Sequence, residues 1–251
     1  MRVFYDSWVM FKRCLLIAMR NPETLIQSTV TPFFLMVLFA NVFGGIADIE
    51  GFNYIDFIVP GIILQAVAQA SAYSAINVSS DMTKGIVDRF RSMPVSRASV
   101  LLGHIGAGVV RNMITTSILI GTAFIVGFRP QAGFAGWLVA SGLLMLIITA
   151  LSLLAVLGGL ISKSPEGANG FMFPLFILPF ISSGFAPVET MPLWLKWFAE
   201  YQPMTPVIDG LRGLMLGMPT GNSLWLGLAW AAGTVIITFT AAVQIFKRKT
   251  S

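Results

Sequence analysis

The stretch KGIVDRFRSMPVSR, from Lys84 to Arg97, is a short basic segment between two long apolar runs. The chain as a whole is 56% hydrophobic and 11% charged, whereas an average soluble domain carries roughly 25% charged residues. A compact basic segment in such a chain is expected where the polypeptide leaves the bilayer between two membrane spans. The composition therefore predicts an integral membrane protein.

Apolar runs of about 20 residues, the length needed to cross a hydrocarbon core of roughly 30 Å, recur along the chain. We predict six spans, at residues 25–43, 55–79, 99–127, 134–161, 170–186 and 223–246. The first 22 residues mix aromatic and aliphatic side chains with Asp6, Lys12 and Arg13, which is typical of a helix lying in the interface. The predicted fold is all-α, a single membrane domain over 1–251 with an amphipathic interfacial helix at 1–22.

The distribution of Lys and Arg sets the predicted orientation, because short cytoplasmic loops retain positive charge. With the N-terminus inside, 13 basic residues lie on the inner side and three on the outer side, and both termini are predicted to be cytoplasmic. The inner set is Arg2, Lys12, Arg13, Arg20, Lys84, Arg89, Arg91, Arg97, Arg111, Lys163, Lys247, Arg248 and Lys249; the outer set is Arg129, Lys196 and Arg212. The opening stretch is then the first cytoplasmic loop, and a loop whose charge only fixes orientation remains one interpretation of it.

Several classes of site do not fit the composition. Cys14 is the single cysteine, which excludes an internal disulfide or a zinc site built from several thiolates, and it is predicted to be a buried, inert thiol. The pI of about 9.7 does not predict nucleic-acid binding, because the basic residues lie between apolar segments and form no basic domain. His104 is the single histidine, and we assign it a hydrogen-bonding role and no metal.

The first cytoplasmic loop also has a helical pattern. Met82 to Met93 is compatible with a helix that Ser80 or Asp81 would cap, and Pro94 would end it before the third span. Its apolar side chains recur at helical spacing: Ile86, Val87, Phe90 and Met93. The pattern predicts a short amphipathic helix joined rigidly to a membrane helix, which could transmit motion from a cytoplasmic partner.

The longest external segment is SSGFAPVETMPLWLKWFAEYQPMTPVIDGLRGLMLG, from Ser182 to Gly217. It predicts two helices, at about 191–200 and 206–216, the second starting where Thr205 precedes Pro206. The apolar faces of both helices predict that they dip into the outer leaflet, with the tryptophans as interface anchors. Those faces contain Leu193, Trp194, Trp197 and Phe198 in the first helix and Leu211, Leu214 and Met215 in the second.

These segments together, over nearly the whole chain, resemble the permeases of type-2 ABC exporters, in particular the daunorubicin-resistance-like branch. The resemblance implies that the first cytoplasmic loop, 81–97, contains the coupling helix that docks on an ATP-binding subunit. The residues implied in coupling are Lys84, Gly85, Asp88, Arg89, Phe90, Arg91, Met93 and Pro94. The resemblance likewise implies that 187–217 holds paired external gate helices, with Glu189, Trp194, Trp197, Asp209 and Arg212 as candidates.

The implied machine has a separate motor. The chain contains no G-x-x-x-x-G-K-[ST] phosphate loop, so no cofactor is expected on it, and ATP and magnesium are expected on a partner subunit present in two copies. Two motors imply two permeases, either a second copy of this chain or a similar one, among the lipids of a bacterial inner membrane. The resemblance implies outward movement of an amphipathic or hydrophobic cargo: a drug, a lipid or a lipid-linked glycan.

Polar and aromatic stripes within the spans are candidates for a translocation path, since polar groups in a membrane are costly unless they are paired or face a cavity. The candidates are Gln65, Gln69 and Tyr73 in the second span and Phe173, Phe176 and Phe180 in the fifth. Hydrogen bonding between packed helices, or ordinary aromatic packing, is the alternative for each set.

Two other functional classes occur among apolar helical membrane proteins. An intramembrane protease is disfavoured because the single histidine has no H-E-x-x-H context and no G-x-S-x-G elbow occurs, so no catalytic residue is assigned. A secondary transporter driven by an ion gradient remains the alternative. It would be expected to hold ionisable residues or broken helices near the midplane, whereas the acidic residues here lie at loops and span ends.

Overall fold

The computed structural model describes residues 2–20, 22–44, 53–86 and 97–249, and all regular structure in these ranges is helical. The α-helices are α1 (Arg2–Arg20), α2 (Pro22–Phe43), α3 (Tyr54–Thr83), α4 (Arg97–Val126), α5 (Phe134–Ile161), α6 (Pro165–Ile177), α7 (Leu193–Tyr201), α8 (Met204–Leu216) and α9 (Ser223–Lys249). Short 3-10 turns lie at Leu178–Ile181 and Val188–Thr190. The prediction of an all-α fold is confirmed.

Five helices in the described ranges are long and apolar enough to cross a membrane: α2, α3, α4, α5 and α9. Their candidate spans are Ile26–Phe43, Tyr54–Thr83, Ser99–Val126, Phe134–Ile161 and Ser223–Phe246. Each overlaps one of the predicted spans closely, because about 20 consecutive apolar residues are a strong signal in sequence.

The predicted span at 170–186 is wrong as a single continuous helix. The helix α6 begins earlier, at Pro165, where the hydroxyl of Ser164 accepts a hydrogen bond from the Gly167 amide at 3.1 Å. It ends at Ile177, and a 3-10 turn follows to Ile181. The physical reason is Pro179, which lies in the 3-10 turn and lacks the amide that would continue the regular helix, whereas Pro174 is accommodated within α6.

The helix α3 forms the centre of the fold. Every side chain from Ile58 to Ala68 is buried, and the helix packs against α2, α4, α5 and α6. Close approach depends on glycine at two points. A Cβ on Gly61 would lie 2.6 Å from the Gly184 Cα, and a Cβ on Gly159 would lie 2.5 Å from the Ala75 carbonyl oxygen. The backbones of α3 and its neighbours are therefore in direct contact.

The N-terminal helix α1 packs along α4. A Cβ on Gly103 would lie 2.8 Å from the Met10 Cβ, so glycine is required for this approach. Met10 and Cys14 are buried on the α4 side, whereas Tyr5 and Trp8 are exposed. The predicted amphipathic helix and the buried thiol are confirmed; the location of α1 in the membrane interface stays a prediction.

The predicted start of the coupling helix is wrong. The helix α3 continues through Asp81 to Thr83, so neither Ser80 nor Asp81 is an N-cap. The helix ends there because Gly85 adopts a left-handed backbone, with φ +67°, a conformation typical of the residue that follows a helix. Residues 87–96 lie outside the described ranges, so the coupling roles of Asp88, Arg89, Phe90, Arg91, Met93 and Pro94 stay predictions.

Candidate coupling and external sites

A charged cluster joins three helices near the end of α3. Asp81, at the end of α3, accepts a hydrogen bond from the Arg13 Nη1 of α1 at 2.8 Å, and its other oxygen lies 3.4 Å from Nη2. The His104 Nε2 of α4 lies 3.3 Å from the Asp81 carboxylate. The His104 Nδ1 lies 3.7 Å from the Cys14 sulfur. One carboxylate thus connects α1, α3 and α4.

The geometry of this cluster is that of a strong ion pair. The two guanidinium nitrogens of Arg13 face the two carboxylate oxygens, an arrangement that favours a specific orientation. The hydrogen bond to Asp81 raises the pKa of Arg13 above its ordinary value. Both side chains are largely buried, at 27% and 14% exposed, so solvent screens the pair less than it would on an open surface.

A cavity of about 290 Å³ lies next to the cluster. Its wall is formed by Arg13, Cys14, Ile17, Ser74, Asn77, Ser80, Asp81, Lys84, Ile86, His104, Ala107, Gly108 and Arg111. Arg111 was counted as a cytoplasmic residue in the predicted orientation, and this is wrong: it lies within α4 and is 4% exposed. Without Arg111, the predicted orientation still puts 12 basic residues on the inner side and three on the outer side.

The polar stripe of α3 is directed partly toward its neighbours. Gln65 is fully buried, and its Nε2 lies 3.5 Å from the Gln69 Oε1. The Tyr73 hydroxyl donates a 2.7 Å hydrogen bond to the Gln27 Oε1 of α2. This bond is the contact that the helix-packing interpretation of Tyr73 expects, and a role of Tyr73 in the path stays a prediction. Gln69, half-buried, has no bond to another helix among the described hydrogen bonds.

The predicted aromatic face of α6 exists and extends further than the sequence indicated. The ring centroids of Phe173 and Phe176 are 6.4 Å apart, and those of Phe176 and Phe180 are 5.8 Å apart. Phe180 then stacks on Phe185 at 4.7 Å, and Phe185 contacts Phe39 of α2 at 5.1 Å. A row of aromatic rings therefore runs from α6 to α2, with Phe173 60% exposed at one end.

Arg212, in α8, joins the external segment to the core. Its Nη1 donates to Asp209 at 2.6 Å, and its Nε donates to the Phe57 carbonyl of α3 at 3.1 Å. Its Nη2 donates to the Ser183 carbonyl, and its guanidinium carbon lies 3.8 Å above the Phe57 ring. Glu189 lines the same cavity of about 230 Å³ as Asp209 and Arg212. The structure thus brings these three external candidates together.

Two helices exist where the sequence predicted them, their location on the outer side stays a prediction, and they differ in their surroundings. Trp194 and Trp197 of α7 are 74% and 67% exposed, whereas most of α8 is buried against α3, α5 and α9. The predicted cap at Thr205 is wrong. The helix α8 starts at Met204, whose amide donates to the Gln202 side chain at 3.0 Å, and Thr205 donates instead to the Ala199 carbonyl at 2.6 Å.

The Asp81–Arg13–His104 cluster and the buried position of Arg111 are not predicted by the sequence. Asp81 lies near the end of α3, and its partners are 68 and 23 residues away along the chain, so no local pattern connects them. The start of α6 was available in the sequence, because Ser164, Pro165 and Glu166 follow the usual order of cap, first-turn proline and acidic residue.

Comparison of the sequence with known proteins identifies its family. The sequence profile of the family described as ABC-2 type transporter matches residues 5–216. The chain is 29% identical over 231 residues to the daunorubicin resistance ABC transporter permease protein DrrB1 of Streptomyces coeruleorubidus, covering 91% of this chain and 81% of that protein.

Two further relatives are similar over most of their length. A probable doxorubicin resistance ABC transporter permease protein, DrrC of Mycobacterium tuberculosis, is 28% identical over 87% of this chain and 79% of its own. The inner membrane transport permease YadH of Escherichia coli K12 is 25% identical over 78% and 77%. The family profile covers most of α1 through the end of α8, and it includes the charged cluster and all the residues that line the Arg212 cavity except Met218 and Pro219. The chain belongs to the ABC-2 type transporter family, as a permease domain.

Proposed function

We propose that this chain is the membrane subunit of an ATP-driven exporter that moves an amphipathic or hydrophobic compound outward. ATP and magnesium would bind to two copies of a separate motor subunit. Support comes from the family and from relatives whose names specify daunorubicin and doxorubicin resistance. A drug is therefore the cargo class that the relatives favour over a lipid or a lipid-linked glycan.

The observation that carries the proposal is the ion pair at the inner end of α3. The loop after Lys84 is the covalent connection between α3 and α4, so a displacement of the loop acts on both helices. Because Asp81 also binds Arg13 and His104, α1 is attached to the same point. A push on this loop by a motor subunit would therefore move three helices together.

The sixth crossing in this proposal is the segment from Pro165 to Ile181. Its 13-residue α-helix and 4-residue 3-10 turn span about 20 and 8 Å at the usual rises, close to the roughly 30 Å of a hydrocarbon core. Basic residues before α2 and in the last turn of α9, beyond its candidate span, both favour the cytoplasm, which requires an even number of crossings. This topology puts α7, α8 and the Arg212 cavity on the outside.

The outer half of the path is proposed to lie between the aromatic row and the external cavity. The row of rings from Phe173 to Phe39 offers a continuous apolar surface to a hydrophobic cargo. Arg212 holds α8 against α3, so its contacts must change if α8 moves during opening. Glu189, exposed beside it, is the candidate for modulating that movement.

The assembly is proposed to contain two permeases in a bacterial inner membrane. Two motor subunits require two docking loops, and this chain supplies one. The candidate spans in α2 and α9 have most of their residues unburied within the chain, which leaves apolar surface for lipid and for a second permease.

The decisive experiment is purification of the tagged chain in mild detergent with identification of what accompanies it. A soluble ATPase in equal ratio, and export that requires ATP, would support the proposal. Export driven by an ion gradient, with no associated ATPase, would replace it with the secondary-transporter alternative.

A variant tests the loop itself. Arg89→Ala with Phe90→Ala should release the motor subunit or separate ATP hydrolysis from export, because both side chains are assigned to the coupling helix. Lys163→Ala, in the other cytoplasmic loop and exposed, is the matched control. Unchanged assembly and export in the double variant would contradict the coupling role.

A further inference from the structure

The cavity between α1, α3 and α4 is lined by a buried arginine, Arg111, which is not part of the ion pair between Arg13 and Asp81. Arg111 is 4% exposed, and its Nε and Nη1 atoms are buried with no hydrogen-bond partner among the described residues. A buried cationic donor without an acceptor is unfavourable, because the water it has lost is not replaced. The described part of the chain thus leaves a place for an acceptor beside Arg111.

The lining of this cavity is positively charged overall. Arg13, Lys84 and Arg111 face it together with one carboxylate, Asp81, among the described lining residues. Both oxygens of Asp81 are already bound by Arg13, and one lies 3.3 Å from His104. The carboxylate is therefore engaged elsewhere, and the acceptor for Arg111 has to come from outside these residues.

The shape of the cavity fits a headgroup with an apolar tail. The exposed Lys84 lies at the end of α3, and the buried Arg111 lies deeper in the fold, so the cavity runs inward from the helix end. Its volume of about 290 Å³ is far larger than one water molecule needs. Ser74 and Asn77 add polar groups to the wall, and Ile17, 37% exposed, adds an apolar edge.

We propose that this cavity binds the phosphate of an anionic phospholipid, with Arg111 donating to the phosphate oxygens and Lys84 attracting the headgroup at the mouth. The planar guanidinium matches the geometry of a phosphate. Basic cavities between membrane helices near the cytoplasmic surface suit anionic headgroups, and Ile17 would contact the first part of an acyl chain. Lipid binding at this cavity requires that the chain lies in a membrane, but it does not depend on transport, so it is independent of the proposed function.

The test measures lipid retention by the full-length chain. The protein is delipidated in detergent, phosphatidylglycerol is titrated in, and the bound fraction is read by native mass spectrometry. Phosphatidylcholine, which has the same phosphate but no net charge, is titrated in parallel. We expect Arg111→Gln to weaken phosphatidylglycerol binding by about tenfold or more, and the exposed Lys163→Gln to leave it unchanged.

A second variant covers the case in which Arg111→Gln does not fold. Lys84→Gln changes an exposed side chain at the mouth and should weaken phosphatidylglycerol binding by about threefold. Equal binding by wild type, Arg111→Gln and Lys84→Gln would overturn the site, as would equal affinity for the two lipids. If millimolar inorganic phosphate displaces the lipid and itself binds the cavity, the ligand is a free oxyanion, and the lipid assignment fails.

Discussion

Breaking the contact between Arg13 and Asp81 should loosen α1 from the rest of the fold. The change is a double-mutant cycle with Asp81→Asn, Arg13→Gln and both together. The cycle isolates the energy of this pair from the other contacts that each side chain makes. This matters because Asp81 also faces His104, and Arg13 also contacts Cys14.

The expected magnitude follows from distance and burial. At 2.8 Å, two unit charges attract by about 6 kcal/mol in a medium with an effective dielectric constant of about 20. Desolvation of both groups offsets most of this, which leaves the roughly 1.5–3 kcal/mol typical of hydrogen bonds to charged groups. We expect a coupling energy of about 1–2 kcal/mol, since the Arg13 side chain is still 27% exposed.

The chain offers a matched control in α7. Lys196 and Glu200 form an ion pair at 3.7 Å, with side chains 35% and 46% exposed. Attraction between exposed charges four residues apart on a helix contributes about 0.3–0.5 kcal/mol. The cycle Lys196→Gln with Glu200→Gln should therefore give a coupling energy several times smaller.

The assay is reversible unfolding of the purified chain in mixed micelles, followed by tryptophan fluorescence. Trp8 lies on α1 and is one of the six tryptophans of the chain, so it reports on that helix when the other five are replaced by phenylalanine. A coupling energy for Arg13 and Asp81 below about 0.5 kcal/mol, or no larger than that of the α7 pair, would refute the conclusion that this pair holds α1 to α3.

Three further changes test the packing and the external site. Gly61→Ala should reduce the folded yield and cost about 1–3 kcal/mol of stability, because its Cβ would lie 2.6 Å from the Gly184 backbone. Gly142→Ala is the control, since the new Cβ meets nothing within 4 Å. Identical size-exclusion profiles for the two variants would contradict the close contact at Gly61. Arg212→Lys should lower the thermal midpoint although charge is kept, because a lysine cannot reproduce the three donor contacts of the guanidinium; an unchanged midpoint would contradict this. Glu189→Gln should alter export while assembly with the motor subunit is unchanged, since the residue is exposed in the external cavity, and indifferent export would make it ordinary surface.

The long membrane helices could be predicted because their signal is local. About 20 apolar residues in succession identify a span whatever it packs against, and five predicted spans correspond to observed helices. The external helices were predictable for a similar reason, as their apolar residues recur at helical spacing. Prediction failed where a helix boundary depends on individual residues. The start of α6, the start of α8 and the end of α3 each lie within five residues of the predicted position, but none coincides with it.

The functional clusters were less predictable, since their members are distant in the chain. Arg212 and Glu189 were named because they lie in one external segment, and the structure brings them to one cavity. The Phe57 carbonyl that binds Arg212 is 155 residues away and has no signature in sequence. Tyr73 is a candidate for the path, and its hydrogen bond to Gln27 is a packing contact that only the position of α2 reveals.

The sequence by itself determined that this is an apolar, helical membrane protein with a short basic segment between two spans and two further helices before the last span, because composition and periodicity are properties of neighbouring residues. Only the tertiary structure decided that Asp81 connects α1, α3 and α4, that Gly61 and Gly184 bring two backbones together, and that Arg111 is buried beside a cavity. The physical reason is that ion pairing, close packing and desolvation depend on distances across helices, which are fixed when the whole core packs and not by any one segment.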